Sequence, residues 1–550
     1  MPSTPTSSPR RVFYGTLVHA VSLTETEYLE HALLGVDEAG VIAFVEKEVP
    51  SGQVEDLLQA LGWTGADVQV VRMRKGEFLM PGLIDTHTHA PQFRNLGYGQ
   101  QYELLDWLDN LTFPAESKLA LQFADPQYAR RTYEGVVERV ISAGTTTCCW
   151  YGTIHQTTKL LAAICHRKGQ RAFVGKCNMD RNSAPYYQEE SAQKSLVDTE
   201  DYVNFVRQQC DSPSLPSSAV SSKRRTGPTS LVQPILTPRF AISCSDELMQ
   251  GLGEMLDKDE HLRLQTHLAE NPAEVEFARS LYPSLPSYAA AYDHFRLLRH
   301  NTILAHCVLL SHDEMVLIKQ RDSGISHCPN SNFNLRSGVA RVADMLDMGI
   351  KVGLGTDNSG GLALGILSAI RSASTASKTI VFSERDAPRK PTSNGAATEI
   401  RSADGITRPS GFFASSHLPV ETLFYLATLG GAQLCDLEDR IGNFVVGKEF
   451  DALLVQTGQA SEEDAMGWAG VSKDRLGENV SGKSVEDELE KALSGAQDEG
   501  VVPVGPNPAL LVEPDESIER VFEKFLFTGD DRNLRAVFVR GRQIGGVGSV

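Results

Sequence analysis

Five of the 14 histidines in this chain fall at the ends of short apolar runs. They are His87 and His89 in PGLIDTHTHA (81–90), His267 in LRLQTHL (262–268), His306 in TILAHC (302–307) and His327 in GISHCP (324–329). Two more runs end in Arg239 (VQPILTPRF, 232–240) and Asp357 (VGLGTD, 352–357). One such histidine is ordinarily a hydrogen-bonded core residue, but several at one kind of position point to metal or proton chemistry. On a strand, residues i and i+2 share a face, so His87 and His89 converge, with Asp85 expected on the same side. Two imidazoles held this way begin a tetrahedral Zn²⁺ site. A third nitrogen from His267 and a carboxylate from Asp357 would join them, and a further position open to water is the mark of a catalytic rather than a structural metal.

Glu270 follows His267 by three residues in THLAE (266–270), where the strand gives way to a loop. A carboxylate beside an activated water can take its proton and redeliver it; a solvated loop acid, or one at a helix N-terminus, fits the sequence equally well. Arg239 offers a rigid donor fork suited to a carbonyl or carboxylate, with a surface ion pair as the alternative. Phe240 is placed to stack on an aromatic ring or to join the core.

Positioning these groups requires strands of one orientation. Apolar runs of strand length recur at 78–85, 144–150, 172–177, 232–240, 262–268, 302–307, 324–329 and 352–357, and most gaps carry amphipathic helical stretches such as DPQYARRTYEGVVERVISA. Continuous apolar strands alternating with helices make a parallel sheet covered on both faces, and eight of them predict an α/β fold with a (β/α)₈ TIM-like barrel. The catalytic face of such a barrel is formed by the C-terminal strand ends, where the polar residues above lie. Residues 1–77 and 440–550 read differently, as alternating runs such as RVFYGTLVHA and AVFVRGRQI separated by polar turns. They predict one small, mostly antiparallel composite β domain built from both ends, with the barrel at 78–439. Segments 212–230, 384–411 and 459–500 are too polar to offset their ordering entropy and are expected to be mobile surface insertions, the last partly helical around SVEDELEKAL.

Composition narrows the function. Among 550 residues, 41% are hydrophobic and 22% charged, which provides an ample core. The net charge of −18 argues against nucleic-acid binding, and 11 acidic against 4 basic residues in 461–500 supply −7 of it. No run of 18 apolar residues and no signal-like N-terminus occur, so no membrane partner is expected. Nine cysteines, none spaced C-x-x-C, read as free thiols of a cytoplasmic protein.

The segments PGLIDTHTHAPQF, FPAES, GTTT, GQRAFVGKCNMD, TPRFAISCS, THLAEN, HCPNSN, GLGTD, IGNFVVGKEFDALLV and FTGDDRN together resemble the guanine deaminase family of the amidohydrolase superfamily. The match spans nearly all of the chain except the N-terminal tail and the three insertions. HxH plus GTD marks only the superfamily, whereas GQRAFVGKCNMD, TPRF and the HAPQF extension resemble this family in particular. The resemblance implies hydrolysis of guanine to xanthine and ammonia, with one Zn²⁺ per chain on His87, His89, His267 and Asp357. It also implies His306 beside the activated water, Gln92, Arg239 and Phe240 around the purine with His267 and Glu270 touching it, Glu270 as proton shuttle, and a homodimer. Binuclear relatives carry a carbamylated lysine on the fourth strand, where this chain has Arg239. Pro91 stands where family members have Ser or similar residues, so the backbone beside Gln92 is expected to differ slightly.

Two other readings remain at this point. One is an aminohydrolase of the same superfamily acting on cytosine, a triazine or an imidazolone; the other is a non-catalytic scaffold relative, although such relatives typically lose metal ligands that are all present here. The H-x-E with P-C-x-x-C solution to zinc deamination is excluded, because no P-C-x-x-C occurs.

Overall fold

The computed structural model describes residues 9–121, 126–210, 228–383, 399–414, 417–458, 507, 509–513 and 515–550. Its strands, in chain order, begin with β1 (Arg10–Ser22), β2 (Glu25–Val36), β3 (Ile42–Glu46), β4 (Val68–Arg72) and β5 (Glu77–Pro81). There follow β6 (Leu83–His89), β7 (Thr145–Tyr151), β8 (Arg171–Gly175), β9 (Cys177–Asn178), β10 (Val232–Pro238), β11 (Arg263–Leu268), β12 (Thr302–His306), β13 (Gly324–His327) and β14 (Lys351–Leu354). The last are β15 (Glu399–Arg401), β16 (Thr407–Pro409), β17 (Ala452–Gln456), β18 (Leu534–Val539) and β19 (Arg542–Gly545).

The apolar runs become the parallel sheet β6-β7-β8-β10-β11-β12-β13-β14, with the two-residue β9 also on β10. Helices cover its outside, so strands such as β7 and β10 are buried at every residue, which is why they read as continuous apolar stretches. Among the described residues no ladder pairs β14 with β6. The nearly closed barrel is instead sealed by the Asp357 N–H donating to the His87 carbonyl at 2.9 Å and the Thr86 hydroxyl donating to Leu354 O at 2.9 Å. Inside, Ile84, Cys149, Phe173, Ile235 and Ile303 pack on Leu434, which ends helix Leu429–Leu434, and on Leu437 and Ile441 just beyond it. That plug fills the N-terminal half of the barrel and leaves the C-terminal strand ends for chemistry.

The covering helices follow from sequence periodicity and capping. Helix Pro126–Ser142 buries Tyr133, Val136, Val137, Val140 and Ile141, an i, i+3, i+4, i+7, i+8 stripe. Ser245, Ser287 and Ser311 side chains accept backbone N–H groups at the starts of three others.

The second sheet has the order β19-β18-β17-β5-β1-β2-β3, with β4 also on β1. It draws on both ends of the chain and is mostly antiparallel, as expected, with β4 and β5 the exceptions that run parallel to β1. Gly15 marks the point where β1 changes partner from β4 to β5. Its φ is +147°, and a Cβ there would lie 2.7 Å from the Met73 Cβ, so only glycine fits. The run 78–85 is not one strand: residues 78–81 pair with β1 and β17 in this sheet, and only from Leu83 does the chain enter the barrel. Buried charges join the two units. Arg171, opening β8, donates to Asp451 at 2.8 and 3.0 Å and to Glu449 at 2.8 Å, and Glu449 also accepts from Arg440 and Arg540.

Of the three polar segments, 459–500, with its expected helix, lies outside the described residues, as do most of 212–230 and the first part of 384–411. The described part of the last is no mobile loop but the β15–β16 hairpin. Asp404 pairs with Arg408 at 2.7 Å and accepts the Leu23 N–H at 2.9 Å, so polar bonds do there what apolar burial does elsewhere. All nine cysteines are buried and unbridged, and no helix among the described residues is long and apolar enough to cross a membrane.

Candidate metal centre and ring-binding pocket

At the C-terminal mouth of the barrel, β6 brings His87 and His89 against His267 from β11 and Asp357 beyond β14. His89 Nε2 and His267 Nε2 are 3.2 Å apart, and Asp357 Oδ1 lies 3.3 Å from the Nε2 atoms of both His87 and His89. Ligands on metal arms of about 2.0–2.1 Å lie roughly 3.3 Å apart, so these three separations suit neighbours on one cation. Two observations support that fit. Both ring nitrogens of His87 are buried without a hydrogen-bond partner, and His267 Nδ1 donates to the Arg239 carbonyl at 2.6 Å, which turns the lone pair of Nε2 toward the cluster. Burial holds the pKa of all three imidazoles below the usual value, in the neutral form a ligand needs. Burial alone would raise the Asp357 carboxyl, but the surrounding imidazoles, His87 first, outweigh it and keep the group ionised. The residues present suit a divalent metal ion.

Asp85 does not join them. From Asp85 to Thr88 strand β6 advances three residues while β7 advances two, Cys148 to Trp150, so a bulge breaks the alternation between Asp85 and Thr88. The Asp85 carboxylate instead accepts the Thr356 hydroxyl, the Thr356 N–H at 3.1 Å and the His87 N–H at 3.2 Å, tying the first strand to the Asp357 loop. Asn358 completes the tie by donating to the His89 carbonyl at 2.9 Å. Gly360 lets the loop pass close beneath: a Cβ would come within 2.6 Å of both Asp357 Oδ2 and Ser331 Oγ. Ala269, His306, Cys307 and Asp357 all adopt φ between +46° and +71°, backbone strain concentrated at the strand ends that carry the site.

Glu270 is no solvated loop acid: it is 2% exposed, and its Oε2 lies 3.3 Å from His306 Nε2. Burial pushes its carboxyl well above the usual range, and the nearby Asp357 and Glu274 add to this. Glu274 holds the turn by accepting the Glu270 and Asn271 N–H groups at 2.7 and 3.1 Å, the second of them part of a capping box on helix Pro272–Leu281. His306 Nδ1 donates to Asn332 Oδ1 at 3.0 Å, so its Nε2 faces Glu270 and, at 3.9 Å, Asp357 Oδ2. His327, at the end of β13, is buried outside the pocket lining, and burial holds its pKa down to about 3.

Beside this centre a pocket is lined by Gln92, Trp107, Leu108, Thr112, Arg239, Phe240, Glu270 and their neighbours. Arg239 is not a surface ion pair. It is 2% exposed and grips Glu116 through two N–H···O bonds of 2.8 and 3.1 Å. Gln92 Nε2 donates to the same carboxylate at 3.0 Å. Pro91 sits in the first turn of a short 3₁₀ helix, Ala90–Asn95, where its missing N–H costs nothing, and Gln92 next to it is buried against the cavity. Phe240 is buried, its ring 6.4 Å from that of His267 and edge-on to it.

Sequence reasoning did not single out Glu116 or the wall that carries it. A π-helical turn, Leu108–Thr112, precedes helix Phe113–Leu121 and brings Leu108 and Thr112 to the cavity, the Thr112 hydroxyl being buried without a protein partner. Neither hydrophobic periodicity nor spacing signals this; the only trace was FPAES (113–117) among the family-like segments.

The amidohydrolase family's sequence profile matches residues 78–544. The guanine deaminase of Dictyostelium discoideum is 36% identical over 540 residues, covering 97% of this chain and 98% of that protein. The human guanine deaminase is 35% identical over 537 residues, covering 97% of this chain and 96% of that protein. Among solved structures, the guanine deaminase of C. acetobutylicum with guanine in its active site superposes with a TM-score of 0.70 at 28% identity, covering 98% of this chain and all of that one. With this likeness running over nearly the whole chain, the chain belongs to the guanine deaminase family of the amidohydrolases.

Proposed function

We propose that this chain is a zinc hydrolase that converts guanine and water to xanthine and ammonia. The observation that carries the reading is one pocket that is lined both by His89, His267 and Asp357 of the metal cluster and by Gln92 and Arg239, which are anchored side by side on Glu116. His87, His89, His267 and Asp357 would hold one Zn²⁺ per chain, and zinc in such a site lowers the pKa of a coordinated water to about 7.

The protein groups divide the remaining work. Arg239 donates to the ring carbonyl O6 and Gln92 accepts from N1–H, while Phe240 packs on the ring, bringing C2 toward the metal ligands. Glu270 takes a proton from the attacking water and delivers it to N3, which makes C2 electrophilic as the water oxygen adds there. The adduct carries both the new hydroxyl and the amino group on C2. Glu270 then moves the hydroxyl proton to the amine, the C–N bond breaks, ammonia leaves and C2=O remains. His306, oriented by Asn332, and the free oxygen of Asp357 hold the incoming oxygen in line. Adenine offers an amino donor where guanine offers O6, so the Arg239 N–H groups that face the ring would lack an acceptor, a mismatch worth on the order of 10⁴-fold. The same reading places the enzyme in the cytoplasm as a homodimer, which sedimentation of the purified protein tests.

A panel of guanine, adenine, cytosine, a triazine and an imidazolone, assayed for ammonia release, tests the substrate. Release from guanine at a rate far above the others supports the reading; release from another ring and none from guanine contradicts it.

A further inference from the structure

Glu116 is completely buried, yet every acceptor position of its carboxylate is used. Oε1 accepts from Gln92 Nε2 at 3.0 Å and from Arg239 Nη2 at 3.1 Å; Oε2 accepts from Arg239 Nη1 at 2.8 Å and from the Tyr187 hydroxyl at 2.8 Å. Four donors on two oxygens exhaust the lone-pair sites of a carboxylate. Helix Phe113–Leu121 carries Glu116 to this point, and Phe113 from the same helix lies under the guanidinium, 5.5 Å from ring centroid to Cζ.

The consequence falls on the two residues that face the ring. An ion-paired carboxylate only accepts hydrogen bonds, so a glutamine beside it must offer its NH₂. Gln92 is thereby fixed in one of its two amide orientations, with the carbonyl Oε1 left for the pocket. Arg239 is likewise held end-on, with one N–H of each terminal nitrogen committed and its charge neutralised. The pocket therefore meets directional donors from Arg239 and an acceptor from Gln92, and no net cation. Such an edge matches a neutral ring presenting N–H beside C=O. It mismatches a ring with a bare nitrogen at that position, and it offers no counter-charge to an anionic substrate.

We propose that Glu116 is the positioning residue that sets this polarity, so that selection of a lactam edge is decided one residue behind the groups that touch the ring. The inference rests on the guanine reading above and deepens it. Glu116→Gln is the informative change: it keeps size and shape but can both donate and accept, so Gln92 is free to turn over and Arg239 loses its anchor.

The metal-loaded wild type and variant are compared for kcat and KM on guanine and for Ki of 2-aminopurine, whose N1 is a bare acceptor with no neighbouring carbonyl. The expected result is a fall in kcat/KM for guanine of about 10- to 100-fold, with the Ki of 2-aminopurine unchanged or lower. The preference between the two rings then drops by at least about tenfold. A merely structural role would weaken both rings alike, and an unchanged preference overturns the proposal. Glu116→Asp keeps an acceptor-only carboxylate and should keep the preference within about threefold even where activity falls; loss of the preference in that variant also overturns it. Thermal unfolding shows whether the Gln variant is folded, and if it is not, the Asp variant decides. Wild-type enzyme that leaves guanine untouched refutes the function itself, whereas active wild type with an unaltered preference in the variants refutes only the role of Glu116.

Discussion

Arg239→Met removes the guanidinium from a carboxylate that has no access to water. Glu116 keeps only Gln92 and Tyr187 as donors, and its charge is left uncompensated at 0% exposure. Two unit charges about 4 Å apart attract by about 4 kcal/mol at an effective dielectric of 20. Breaking a buried pair from one side costs roughly 3–5 kcal/mol. With about 2.1 cal/mol/K of unfolding entropy per residue, a chain of 550 residues loses roughly 3–4 °C in Tm. Glu116→Gln alone leaves the guanidinium unpaired and costs a similar amount. The double variant Arg239→Met/Glu116→Gln removes both charges while keeping an acceptor for Gln92 and Tyr187, so it should lie within about 1–2 kcal/mol of wild type. The assay is thermal unfolding of the four metal-loaded proteins as a double-mutant cycle, with guanine turnover alongside. We expect the double variant to be rescued in stability by at least about 2 kcal/mol against the sum of the singles, and to remain inactive on guanine. Stability losses that add within about 0.5 kcal/mol would refute the reasoning, because they would show that the two groups are not a desolvated pair.

Other consequences are open to direct measurement. His267→Ala removes one tetrahedral ligand and should lower both bound zinc per chain and kcat by roughly 10³-fold or more, read by elemental analysis and turnover. Gly360→Ala puts a methyl against Asp357 Oδ2 and Ser331 Oγ, at positions 2.6 Å from the ideal Cβ. The forced shift should lower kcat by about 100-fold with little loss of fold, as circular dichroism would show. Burial lowers the Lys448 amine to about 8 from 10.5. Between those values the unfolded chain binds more protons than the folded one, so stability should rise with pH across that window by up to about 3 kcal/mol. Lys448→Met should flatten the rise in urea titrations at pH 7.5 and 10, and an unchanged slope would remove Lys448 as its source.

The barrel was legible because each of its strands is buried on both faces, so VQPILTP or TILAH reads as unbroken apolar sequence, and because polar residues end these runs where the strands meet the pocket. The same signal failed at 78–85. There one apolar run serves two sheets, and hydrophobicity cannot mark a junction whose two sides are equally buried. Strand parity placed His87 and His89 correctly but carried Asp85 with them, since a bulge leaves no mark in composition. The hairpin Glu399–Pro409 was hidden for the opposite reason: it is held by Asp404 and Arg408 rather than by apolar side chains. Glu116 was invisible as a site residue because its role exists only in three dimensions, 24 residues from Gln92 and 123 from Arg239.

The central claim is that the metal cluster and the ring-reading wall act together on guanine. It is tested most directly by incubating purified protein, reconstituted with one equivalent of zinc, with guanine and quantifying xanthine and ammonia. Zinc-loaded protein should give the two products in equal amounts, and neither should form after the metal is chelated. Zinc-loaded, folded protein that leaves guanine unchanged, or chelated protein that still yields xanthine, would contradict that claim.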